Sequence, residues 1–291
     1  MPHAGVEDAP AEQLPSAKEQ QTLRAHRTLI ISLAVTLVLA VPAGAVGKRL
    51  IVGGSTSVLP LMQKLAAAYH KSFPKIPAPQ VQGGQSDIGI SGVASGRFDI
   101  GDSSRNPLPS DPAGLRFTKI AEDGVCIITN SANALGNLSE ETVQGIFTGG
   151  IRDWNEVPGA KIGGPIDLFD RDNASGTQDA FQHIFLGEEK KISPSAQAEA
   201  SNGLEQSAVS ADKQGIGFVS FKFTGGVNTV GYEGVACNLR NSTSGQYAGV
   251  RNFWMVTKGP PKGEALKFIS WVTSGNKTTK AIISSSWIVI H

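Results

Sequence analysis

Four times along this chain an apolar, strand-like run breaks into a loop of glycine and hydroxyl residues. "RLIVGGSTS" does so and leads into "VLPLMQKLAAAYHKSF", where Leu61, Met62, Leu65 and Tyr69 recur at helical spacing. "QVQGGQSDIGISGVASG" repeats the pattern: Val81 ends a strand, Gly83 to Ser86 form a loop, and a small-residue helix starts near Asp87. "RFDIGDSSR" opens from a short strand into Asp102, Ser103, Ser104 and Arg105. "LFDRDNASGTQDAF" runs from a strand through Arg171, Ser175, Gly176 and Thr177 into a helix start. Strands alternating with helices predict an open α/β sheet. In such a sheet ligands sit beyond the carboxyl ends of the strands, where backbone N–H groups and helix N-termini point outward.

The residue types at these junctions suit one kind of ligand. A hydroxyl is a neutral donor that rotates to meet an oxygen, and a helix N-terminus supplies N–H groups without a mobile counter-charge. Arg171 adds a bidentate, charge-assisted contact. Together they predict a site for a small, multiply charged, dehydrated oxyanion. Taken alone, the fourth loop also reads as a plain helix start, with Ser175 or Thr177 as the cap and Arg171 solvated; recurrence at four junctions favours the anion. The formal net charge of +1 gives no general pull toward nucleic acid or an anionic membrane, so the anion site is local. With 291 residues, 40% of them hydrophobic, the chain can bury the core of one large domain or two ordinary ones.

Residues 1–45 read as something other than the fold. A polar front is followed by Arg24, His26 and Arg27, the apolar run Leu29 to Val41, and Ala43 and Ala45 at the spacing of a signal-peptidase site. This predicts a secretory signal and a mature chain starting at Val46; an uncleaved membrane anchor is the alternative. Outside the cytoplasm the two cysteines, Cys126 and Cys237, can form one disulfide, the alternative being two separate buried thiols. The five histidines make no ligand cluster, and neither a nucleophile elbow nor a phosphate-binding P-loop occurs, so no catalytic residue, cofactor or metal is expected.

From about Arg49 to the C-terminus, "GGSTSVLPLMQKLAAAY", "VQGGQSDIGISGVASGRFDIGDSSR", "EDGVCIITN", "IFTGGIRDWNEV", "RDNASGT", "GIGFVSF" and "VACNLRNSTSGQYAGVRNFWMV" follow one another in a familiar order. The sequence resembles the phosphate-binding proteins of bacterial phosphate ABC transporters, in the periplasmic-binding-protein-like type II family. That resemblance implies an α/β fold of two lobes with an interlobe ligand cleft and a two-stranded hinge. Lobe one would comprise 48–122 and 254–291, and lobe two 123–253, which would hold both cysteines. It implies an exported, monomeric solute-binding protein, periplasmic or extracellular, that delivers inorganic phosphate to a membrane permease. A receptor for sulfate or molybdate, or a phosphate-sensing module, is the alternative. The phosphate contacts carry over to Thr56, Ser57, Ser86, Arg171, Ser175, Gly176 and Thr177, with Ser104 and Arg105 in the third loop. Some family members place there an aspartate that accepts the proton of hydrogen phosphate. Here Ser104 stands in its place, with Asp102 two residues earlier. A serine can donate or accept, so phosphate specificity is implied by the resemblance rather than by this loop.

Overall fold

The computed structural model describes residues 48–290; the expected signal or anchor segment lies outside the described residues. In chain order the first elements are β1 (Ile51–Ser55), α1 (Leu59–Ser72), β2 (Gln80–Gly84), α2 (Ser86–Ala94), β3 (Ile100–Ser103) and the long β4 (Leu115–Thr129). Then come β5 (Asn137–Leu138), α3 (Glu140–Phe147), β6 (Asp167–Arg171), α4 (Gly176–Phe181), β7 (Gln197–Glu199), α5 (Asn202–Ala211) and β8 (Gly215–Ser220). The last are β9 (Asn228–Thr229), β10 (Gly231–Tyr232), α6 (Leu239–Thr243), β11 (Val250–Lys258), α7 (Gly263–Thr273) and α8 (Lys277–Ser284).

One hydrogen-bonded sheet runs β2-β1-β3-β11-β4-β8-β6-β7, with β9 beside β4. Its two ends are parallel, β1 pairing with β2 and β3, and β6 with β7 and β8. Its middle is antiparallel, because β11 pairs with β3 and β4, and β4 with β8. The parallel ends are the strand–loop–helix units of the sequence, whose crossovers require helices.

The apolar side chains divide into two large cores. In α1 the residues Leu61, Met62, Leu65 and Tyr69 bury one helical face, and Pro60 sits in the first turn, where its missing N–H leaves no bond unmade. That face packs with Val52, Phe253, Met255, Phe268 and Trp287. The other core gathers Val125, Ile127, Phe147, Phe181, Phe185 and Phe218, with the Phe181 and Phe218 rings stacked 3.9 Å apart. Strand β4 supplies both: Ile120 and Ala121 belong to the first, Val125 to Ile127 to the second. The two-lobed architecture follows, with β4 and β11 passing between the lobes.

Local details depart from the simplest reading of the sequence. "TQDAFQHIFL" is not one regular helix: α4 widens into a π-turn over Gln182–Leu186 and stops at Gly187, whose φ of 77° is left-handed. At the end of β1, Gly54 has φ 151°, and a Cβ there would collide with the backbone oxygen of Asp102, so β1 and β3 approach as closely as glycine permits. Cys126 on β4 and Cys237 before α6 are joined in a disulfide with Cα atoms 5.6 Å apart.

Candidate functional site

The carboxyl ends of β1 and β3 and the starts of α2 and α4 meet between the lobes. Across that meeting, Ser57 Oγ lies 3.0 Å from Thr177 Oγ1. Ser55 Oγ donates to Ser104 Oγ at 2.8 Å, and the Ser104 N–H donates to Ser86 Oγ at 3.0 Å. Ser175 caps α4, its Oγ accepting from the N–H groups of Thr177 at 3.2 Å and Gln178 at 3.4 Å. Gly176 is required by contact rather than by φ: a Cβ there would overlap Ser86 Oγ and lie 2.7 Å from Ser104 Oγ. The loops also touch directly, since the Asp87 N–H donates to Ala174 O at 3.2 Å and Gln85 donates to Asp172. All of Ser57, Ser86, Ser104, Ser175, Gly176 and Thr177 are buried, while Thr56 is half-buried.

Two guanidinium groups stand in this cleft. Arg171, at the end of β6, is 2% exposed, so the solvated alternative does not hold. Its Nε donates to Glu199 O at 2.7 Å, Glu205 Oε2 is 3.9 Å away, and Nη1 has no hydrogen-bond partner among the described residues. Burial lowers its pKa from the ordinary value; Glu205 opposes that shift and Arg251 adds to it. Arg251, on β11, is bound to Asp123 of β4 through Nε at 3.1 Å and Nη2 at 2.8 Å. It reaches both lobes, donating from Nη2 to Ser57 Oγ and from Nη1 to Thr177 Oγ1, each at 2.8 Å.

Two buried carboxyl groups flank these cations, and a third lies under the first loop. Burial raises the pKa of Asp123, against the pull of Arg251, and raises that of Glu205, against the pull of Arg171. Glu205 Oε1 accepts from the Phe218 N–H at 2.8 Å. Asp102, beneath the first loop, is pushed well above its ordinary value by burial, and neither of its carboxyl oxygens has a hydrogen-bond partner among the described residues. Two buried guanidiniums, many hydroxyls and helix starts form an arrangement suited to a compact anion.

Of the residues singled out in the sequence, Arg105 is the one whose side chain the structure takes away from this meeting. Its guanidinium is held by Asp87 at 2.7 Å, by Asp111 at 2.6 Å and 3.1 Å, and by Asn106 O at 2.9 Å, leaving its backbone beside the cleft. Burial works against that charge, and the two carboxylates overcome it, so the group titrates above its ordinary value. Conversely, Arg251, Asp123 and Asn202 were not legible as site residues. Asn202, the first residue of α5, donates from Nδ2 to Thr56 Oγ1 at 2.9 Å and to Ser57 Oγ at 2.8 Å. The available signal for Arg251 was its phase: in "VRNFWMV" it falls on the same strand face as the buried Phe253 and Met255.

Comparison with known proteins gives a consistent picture. A family model described as a PBP superfamily domain matches residues 18–276. The phosphate-binding protein PstS 2 of Streptococcus agalactiae is 34% identical over 110 residues, which span 38% of this chain and 37% of that relative's length. PstS of Bacillus subtilis is 26% identical over 247 residues, 83% of this chain and 80% of that protein. A structure assigned as a phosphate ABC transporter substrate-binding protein of Clostridium perfringens, with bound phosphate, superposes with a TM-score of 0.78 at 28% identity, covering 84% of this chain and 100% of that one. An ABC-type phosphate transport receptor of Vibrio cholerae gives 0.67 at 28% identity, covering 83% and 100%.

Proposed function

The chain belongs to the PBP superfamily, and from that membership and the geometry of its cleft we propose that it is an exported solute-binding protein that captures inorganic phosphate and hands it to the permease of an ABC transporter. The observation that carries this reading is Arg171 Nη1, a buried cationic nitrogen without a hydrogen-bond partner among the described residues, on the residue that ends β6 and opens the fourth hydroxyl-bearing loop. A buried charge of that kind is costly unless an anion meets it.

The mechanism is capture without covalent chemistry. The protein acts as a monomer outside the cytoplasm. Residues 48–122 and 254–291 form one lobe and 123–253 the other, and the anion is held between Thr56, Ser57, Ser86 and Ser104 on one side and Arg171, Ser175, Gly176 and Thr177 on the other. Closing the lobes replaces the hydration shell of phosphate with donors already fixed in place, which limits the ordering cost of binding. The closed shape is what the permease reads. Calorimetric titration of the anion-stripped protein with phosphate, arsenate, sulfate and molybdate tests this. Saturable one-to-one binding of phosphate is expected, and no heat with phosphate overturns the reading.

A further inference from the structure

Each hydroxyl predicted to line the cleft already accepts a hydrogen bond from the protein. Thr56 Oγ1 accepts from the Asn202 Nδ2 at 2.9 Å and its backbone N–H at 3.4 Å. Ser57 Oγ accepts from Asn202 Nδ2 and Arg251 Nη2, both at 2.8 Å. Those two bonds occupy both of its lone pairs, so its proton goes to Thr177 Oγ1, 3.0 Å away. Thr177 Oγ1 also accepts from Arg251 Nη1, so its own proton points elsewhere. Ser175 Oγ accepts two backbone N–H groups, Ser104 Oγ accepts from Ser55 Oγ, and Ser86 Oγ accepts from the Ser104 N–H.

The sense of these bonds is not arbitrary. Asn202 Oδ1 accepts from the Ser220 N–H at 2.9 Å, which fixes the amide and turns its NH₂ toward Thr56 and Ser57. Ser220 Oγ donates to Asp123 Oδ1 at 3.0 Å, and Asp123 holds Arg251. A guanidinium has no acceptor capacity, so every bond it makes to a hydroxyl leaves that hydroxyl a donor.

We propose that Asn202 and Arg251 are positioning residues that leave Thr56 and, through Ser57, Thr177 as donors toward the cleft, so that it selects tetrahedral oxyanions by their deprotonated oxygens and not by recognising a proton on the ligand. The inference rests on the reading of the cleft as a phosphate site. It bears on the ambiguity of a serine at position 104: Ser104 accepts from Ser55 at 2.8 Å and from Arg251 Nη1 at 3.5 Å, which takes both lone pairs and leaves only its proton to offer, to the ligand or to Ser86 Oγ 3.4 Å away. A donor ring is met in full by sulfate or by the unprotonated oxygens of hydrogen phosphate. Each further proton on phosphate sets one donor against another. Such a site therefore separates dianion from monoanion more sharply than phosphate from sulfate.

The test titrates the anion-stripped full chain with phosphate and with sulfate at about pH 6 and about pH 8, reading the ratio of the two affinities. Sulfate does not take up a proton in that window. The ratio therefore cancels protonation of Asp102, Asp123, Asp179, His183 or Glu205 and isolates protonation of the ligand. Sulfate affinity within about tenfold of phosphate at the higher pH is expected, with a phosphate-to-sulfate ratio that falls on acidification. The variant Asn202→Asp replaces a donor to Ser57 by an acceptor, freeing a Ser57 lone pair toward the cleft. Both anions should bind it more weakly, and the ratio should move toward phosphate by about fivefold or more. Sulfate exclusion of about a thousandfold in the wild type, a pH-independent ratio, or an unmoved ratio in Asn202→Asp each overturns the inference. If the variant does not fold, the wild-type ratios decide it. Absence of binding by every tetrahedral anion overturns the proposed function and this inference together; phosphate binding with sulfate excluded overturns the inference alone.

Discussion

Arg171 and Arg251 are both buried, yet their charges are compensated differently. Arg251 is bound twice by Asp123, whereas Arg171 makes one bond to a backbone carbonyl and keeps Nη1 unpaired, with Glu205 at the edge of ion-pair range. On the proposed function, removing Arg171 withdraws the guanidinium that no carboxylate binds directly. Arg171→Ala should therefore weaken phosphate binding by about 3–5 kcal/mol, several hundredfold or more. Thr177→Ala removes one hydroxyl from many, and its effect should be nearer 1.5–3 kcal/mol, about that of one hydrogen bond to a charged group. Isothermal titration of the two variants checks the order. Ser175 caps α4, as a plain helix start would require, and with two N–H groups on its oxygen it has only its proton left to offer.

The elements explain what could be read in advance. The four strand-to-loop junctions announce themselves in sequence because apolar periodicity breaks at glycine and hydroxyl residues, although the third leads into strand β4 rather than a helix. Asp123, Arg251 and Asn202 lie within strands or at a helix start packed from a distance, so their meeting depends on β4–β11 register and on α5 docking, which no local pattern encodes. Arg105 is the opposite case. Its loop position was legible, but its capture by Asp111, six residues on, and by Asp87 of α2 was not. That capture has a pH signature. Burial works against the Asp111 carboxylate, but Arg105 and the Leu108 N–H hold it below its ordinary value. The unfolded chain then takes up this proton first as pH falls, so the stabilisation is present above about pH 4 and is lost below it. Asp111→Asn should flatten that acid limb in urea unfolding measured across pH. Gly176→Ala tests the seam between α4 and α2. The overlap with Ser86 Oγ lies across the lobes, so phosphate affinity should fall about tenfold or more while the thermal midpoint stays near that of the parent.

Across the molecule, two cores share one sheet, and β4 contributes to both. The disulfide between Cys126 and Cys237 lies wholly within the second core and closes a chain separation of 111 residues. Replacing both cysteines by alanine should lower unfolding stability by about 2–4 kcal/mol, while the phosphate isotherm stays unchanged because neither residue meets the ligand loops. Lobe movement has to pass through β4 and β11, and the pairing of these strands slips its register between Phe253 and Trp254. A bulge adds local twist and bends a strand there. Trp254 sits at that point half-buried, its ring edge-on to Phe117 at 6.2 Å and its indole N–H without a partner among the described residues. Trp154 and Trp287, by contrast, are enclosed in the two cores. The protein thus carries an optical gauge of its own shape: binding of phosphate should change the tryptophan emission of the unlabelled chain, and Trp254→Phe should silence that signal while leaving calorimetric affinity in place.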